Sequence, residues 1–96
     1  MTEESRPALD EIAKLLEENP DFNFYVVGHT DNTGSYGHNL NLSQKRADSV
    51  AEELVAGYNL SKDRLLPIGI GPVFPIAANT SEEGRARNRR VELALR

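Results

Sequence analysis

Apolar residues change their spacing several times along this chain, and each change marks an element. Leu9, Ile12, Ala13 and Leu16 fall at i, i+3, i+4 and i+7, the stripe of an amphipathic helix, with Asp10, Glu11, Glu17 and Glu18 off the stripe. Ser5 is placed to cap that helix, and Pro7 is tolerated in its first turn, where no N–H is needed. Asn19-Pro20-Asp21 stops it. Phe24, Tyr25, Val26 and Val27 are apolar in succession, which predicts a central strand covered on both faces for part of its length, ended by Gly28. From His29 to Asn41 the chain is rich in Gly, Asn, Thr and Ser and reads as a loop, too polar for core and long for a simple crossover. With Ser43 as its cap, a second helix follows, its stripe traced by Ala47, Val50, Ala51, Leu54, Val55 and Tyr58, and its end marked by Gly57 and Asn59.

Ser61-Lys62-Asp63 reads as a turn, and Leu65, Leu66, Ile68 and Ile70 as a strand. Pro67 cannot donate to a ladder, so that strand belongs at a sheet edge. Gly69, Gly71, Pro72 and Pro75 make the next stretch irregular, and Asn79 to Gly84 fits a short helical turn. Val91, Leu93 and Leu95 alternate with Arg90, Glu92 and Ala94, a strand with one face buried. The order α-β-α-β-β predicts an α/β two-layer sandwich with two helices on one face of the sheet.

Composition narrows the class. With 96 residues the chain is one domain, 1–96, and 39% hydrophobic with 27% charged residues suits a globular fold. No apolar run approaches the roughly 20 residues that span a bilayer, and the acidic, polar first residues do not read as a signal peptide. Without cysteine there is no disulfide framework, thiolate chemistry or cysteine zinc site. A net charge of −4 argues against a nucleic-acid binder that works by bulk electrostatics.

Two opposite charges carry the candidate chemistry. Asp31 follows Thr30 just past a strand end, a common place for ligands in α/β sheets, although an aspartate there also suits an Asx-turn. If Ser43 caps the second helix, Arg46 lies in its first turn, where the helix dipole opposes a cation. An anion beside it explains that placement: either a ligand, or Asp31 or Asp48 bracing the loop. His29 could pair with Asp31 in a small hydrolase, but no serine elbow or cysteine nucleophile accompanies them. Neither does any metal-ligand spacing link His29 to His38, Asp31 or Asp48. The run from Arg85 to Arg90 reads as a solvated face balancing the acidic helices; as a nucleic-acid surface it lacks interleaved aromatics.

Taken together, these segments resemble the OmpA-like (OmpA/MotB C-terminal) peptidoglycan-binding domain. The matching residues are Val27-Gly28-His29-Thr30-Asp31, Gly34, Asn39, Leu42-Ser43, Arg46-Ala47 and Val50, then Gly69-Ile70-Gly71, Pro75, Asn79, Gly84-Arg85 and Asn88-Arg89-Arg90-Val91-Glu92. The resemblance implies non-covalent binding of peptidoglycan through the meso-diaminopimelate of its stem peptide. Asp31 would take the ligand's ammonium and Arg46 its carboxylate; Asn39 and Thr33 match pocket-lining positions, and Arg89 lies close to the site. It also implies a β-α-β-α-β-β fold with a mixed sheet, of which the first strand is missing here. The edge near Val91 would then be open to dimerisation. The implied setting is periplasmic, in an outer-membrane-associated protein, with no enzyme activity, cofactor, metal, nucleic acid or membrane-spanning segment. The wall anchor of a flagellar stator is the alternative within the family.

Overall fold

In the computed structural model, which describes residues 6–58 and 60–96, the first apolar stripe forms α1 (Arg6–Glu18) and buries Leu9, Ala13 and Leu16. The Ser5 cap and the Asn59 helix end lie outside the described residues. The end of α1 is held from a distance. Arg64 Nη2 donates to the carbonyls of Leu16 (2.9 Å), Asn19 (2.7 Å) and Phe22 (3.0 Å), placing a cation where the helix leaves carbonyls unpaired.

Three strands form a mixed sheet in the order β2-β1-β3: β1 (Phe24–His29) runs parallel to β2 (Leu65–Gly71) and antiparallel to β3 (Val91–Leu95). Phe24, Val26 and Leu65 meet α1 and α2 (Tyr36–Tyr58) in one core with Ala47, Val50, Ala51 and Leu54. This is the α/β two-layer sandwich expected, and β2 is an edge strand as Pro67 required. The expectation that β1 is covered on both faces for part of its length holds at its end, where Gly28 and His29 are both buried; Tyr25 and Val27 point away from the helices beside Leu66, Ile68 and Ala94 and are half-buried. Over residues 24–27 the successive apolar residues mark one core face and one half-buried apolar face. On β3 the alternation is real, but Leu95, opposite Phe24, remains 62% exposed because it lies at the sheet's corner.

The second helix begins at Tyr36, not after Ser43. Ser35 is its cap, with Oγ accepting from the His38 N–H at 3.1 Å. Gly37, Asn39 and Asn41 are poor helix formers, so the sequence hides this turn. Tertiary bonds hold it: Asn39 ties to the preceding loop, and Ser43 Oγ accepts from the Gly71 N–H at 2.9 Å. Here the helix backbone lies directly on the sheet. A Cβ on Gly28 would stand 2.2 Å from the Ser43 carbonyl oxygen, and one on its neighbour Gly69 2.2 Å from the Gln44 nitrogen.

Gln44 also finishes the β2 edge. Its amide donates to Pro67 O (3.0 Å) and accepts from the Gly69 N–H (2.8 Å), as a neighbouring strand would. Between β2 and β3, α3 (Glu82–Asn88) replaces the short turn expected over Asn79–Gly84, giving three α-helices among the described residues where two were expected. Its cap is Ser81, which accepts from the Gly84 N–H. Buried Asn88 binds the chain before it, accepting from the N–H groups of Ile76 and Ala77 and donating to Ala77 O and Asn79 Oδ1.

Candidate functional site

The loop after β1 starts pinned on both sides. His29 N–H donates to Arg90 O (2.8 Å), and Thr30 N–H to Gly71 O (3.0 Å). Thr30 Oγ1 then donates to Asp31 O, and Asn39 Nδ2 reaches back from α2 to Thr33 O (3.0 Å) and Asp31 O (3.4 Å). Thr30, Asp31 and Asn39 are all buried. The Asx-turn reading of Asp31 is correct as far as it goes: Oδ1 accepts from the Thr33 N–H at 2.9 Å. Oδ2 accepts from Arg89 Nη1 at 2.6 Å, an ion pair between residues distant in sequence. The Thr33 N–H lowers the Asp31 pKa below its ordinary value; burial opposes this, and Arg89 adds to it. A buried anion therefore stands at the strand end.

Arg46 is not in a first turn. With α2 starting at Tyr36 it lies nearly three turns inside the helix, so the dipole argument for an anion beside it does not hold. A different observation replaces it. Among the described residues the other half-buried arginines are engaged, Arg64 with carbonyls, Arg85 with Glu82 and Arg90 with Glu92, whereas Arg46 has no hydrogen-bond or ion-pair partner. Neither Asp31 nor Asp48 braces it. Asn39, Ser43 and Arg46 follow one another at i, i+4 and i+7 along α2. Gln44 turns to β2, and Arg46, two residues on, projects about 200° round the helix, away from β2.

His29 is buried, and its Nε2 lies 3.5 Å from Glu92 Oε1 while Nδ1 has no partner. Burial lowers its pKa, Arg90 adds to this, and Glu92 opposes it. It shares no hydrogen bond with Asp31, whose oxygens meet Thr33 and Arg89, so the geometry lends the hydrolase pair no support. Among the described residues no three His, Cys, Asp or Glu side chains converge as metal ligands. Three arginines of the basic run are engaged by carboxylates, and Arg87 is exposed. Arg85 pairs with Glu82, Arg89 with Asp31 and Glu82, and Arg90 with Glu92.

The match to known proteins follows this geometry. Residues 1–89 match the OmpA family, a stretch that holds Asp31, Asn39, Arg46 and Arg89. The chain belongs to the OmpA family. Among its relatives is the probable lipoprotein YiaD of Escherichia coli, 45% identical over 84 residues, 88% of this chain and 38% of that protein. The peptidoglycan-binding protein ArfA of Mycobacterium tuberculosis is 46% identical over 87 residues, 91% of this chain and 26% of that protein. The chain thus spans well under half the length of either relative. The crystal structure of the peptidoglycan-associated lipoprotein from Burkholderia pseudomallei superposes with a TM-score of 0.87 at 27% identity, covering 100% of this chain and 80% of that one.

Two residues tied to this candidate site were not visible in the sequence as such. Glu82 holds Arg89 Nη2 at 2.6 Å, and Ser43 links α2 to β2 instead of capping a helix. Glu82 looked like one more acidic residue near a basic run; only the packing of α3 brings it to Arg89.

Proposed function

We infer that this domain is a non-enzymatic peptidoglycan-binding module that holds the meso-diaminopimelate of the stem peptide, with Asp31 for the ammonium and Arg46 for the carboxylate. The observation that carries this reading is Arg46, a half-buried guanidinium that meets no anion among the described residues, on the helix whose Asn39 holds the Asp31 loop. The axial rise from Asn39 to Arg46 is about 10 Å, and a long helical side chain leans toward the helix N-terminus. The guanidinium therefore returns toward the loop, within reach of the far pole of an amino acid seated on Asp31. A planar fork suits carboxylate, and an acceptor-only aspartate suits ammonium. Asn39 and Thr33 line the loop side, and Arg89 borders the carboxylate.

Charged hydrogen bonds contribute roughly 1.5–3 kcal/mol each. Two or three, less the cost of association, give an affinity on the order of micromolar to millimolar. Many copies on one wall then hold by multivalency. The names of the relatives support a periplasmic setting in an outer-membrane-associated protein. The stator anchor differs in the parent protein and not in this site. Among the described residues no strand pairs with the outer edge of β3, which supports pairing with a second copy; a concentration-independent monomer in sedimentation would refute it.

The test is retention on purified sacculi. Wild type is retained, while Asp31→Ala and Arg46→Ala stay folded by circular dichroism and wash off. A wall carrying lysine in place of diaminopimelate removes Arg46's carboxylate partner and weakens retention. Equal retention of all three proteins would overturn the assignment, and release of muropeptide fragments would overturn the non-enzymatic reading.

A further inference from the structure

Arg89 does not grip Asp31 with both arms of its fork. One arm, Nη1, lies 2.6 Å from Asp31 Oδ2, and the other, Nη2, lies 2.6 Å from Glu82 Oε1. Glu82 is itself fixed, since Arg85 Nε meets its other oxygen at 3.2 Å and Arg85 Nη1 donates to Asn79 O. A guanidinium left alone with a carboxylate tends to a two-point contact, which would fill both Asp31 oxygens. Oδ1 already accepts from Thr33.

We propose that Glu82 is a positioning residue for the ligand's ammonium: by taking one arm of Arg89 it limits that guanidinium to a single contact with Asp31, so that the carboxylate retains acceptor capacity and negative potential. This rests on the reading of Asp31 as the ammonium site. Glu82 touches no ligand in this scheme and acts through Arg89. Without it, Arg89 closes onto Asp31, and the protein's own cation takes the place meant for the incoming one.

A simple bracing role for Glu82 makes the opposite forecast, since loss of the brace would let Arg89 swing off Asp31. Titration of the Asp31 carboxyl by carbon NMR, without ligand, separates the two. In Glu82→Ala the Asp31 midpoint moves further below its wild-type value, with Glu82→Gln between. A midpoint that rises toward the ordinary carboxylate value, or does not move, overturns the proposal. Calorimetry with free meso-diaminopimelate is the second arm. Glu82→Ala weakens binding about three- to tenfold, whereas the same ligand with its amines acetylated is insensitive to the substitution. An equal loss for both ligands overturns the proposal. Absence of any binding by wild type would sink the assigned function, and the titration would still decide the arrangement of Arg89.

Discussion

Substituting Gly28 by alanine tests whether the site depends on how closely α2 rests on the sheet. The added Cβ would lie 2.2 Å from the Ser43 oxygen and 3.0 Å from its carbonyl carbon, where ordinary contact begins at 3.4 Å. The shortfall to the oxygen is 3.4 − 2.2, or 1.2 Å. Both obstructing atoms are helix backbone, so no rotamer change relieves the clash, and α2 must lift by about 1 Å or β1 must bend. Overpacking a core costs about 1–3 kcal/mol, and a backbone obstruction belongs at the upper end. At about 4–8 °C per kcal/mol for a domain of this size, a cost of about 3 kcal/mol lowers Tm by roughly 12–24 °C. Gly37 is the internal control: a Cβ there meets nothing within 4 Å, so Gly37→Ala is neutral or gains up to about 1 kcal/mol through helix propensity. Urea and thermal unfolding of both variants, followed by circular dichroism, measure the contrast. Sacculus retention of Gly28→Ala well below its melting point tests the functional consequence, since lifting α2 moves Arg46 away from Asp31. A Gly28→Ala protein that melts within about 3 °C of wild type would refute the claim that this contact sets the geometry.

Arg46→Lys keeps the charge but loses the fork, and the loss of one charged hydrogen bond weakens muropeptide binding by roughly tenfold in calorimetry; undiminished binding would remove the carboxylate role. Arg64→Ala leaves the end of α1 without its cation and lowers unfolding free energy by about 2 kcal/mol in urea, with no change in retention per folded molecule. Asp31 has a depressed folded pKa, so its stabilisation is complete above the unfolded value of about 3.9 and is lost as pH falls from there through the folded value. The stability gap between wild type and Asp31→Asn in urea closes over that interval. His29 is depressed too, so its contribution is full above about pH 6.5 and declines as pH falls through the folded value. His29→Gln flattens that part of the urea stability profile, and an unchanged slope would show that His29 does not titrate with folding.

The periodic stripe of α1, the apolar run of β1 and the alternation of β3 fixed these elements locally, because each depends on which side chains one face presents. Pro67 likewise assigned β2 to an edge, because a missing N–H rules out a central place. Less legible were the start of α2 and the length of α3. Residues 36–42 have weak helix propensity and are helical because Asn39 and Ser43 bond outside the helix. The Asp31–Arg89 pair joins residues 58 apart in the chain, and no local spacing announces it.

What the chain determined alone was its element types and a set of charged residues whose pattern resembles a wall-binding family. Which charges meet was decided in three dimensions. Asp31, Arg89 and Glu82 come together, and Arg46 has no partner among the described residues, because Gly28 and Gly69 let α2 settle onto the sheet while Asn88 fastens the chain ahead of α3. Ion pairing depends on distances between side chains from separate elements. Those distances exist only after the layers have packed.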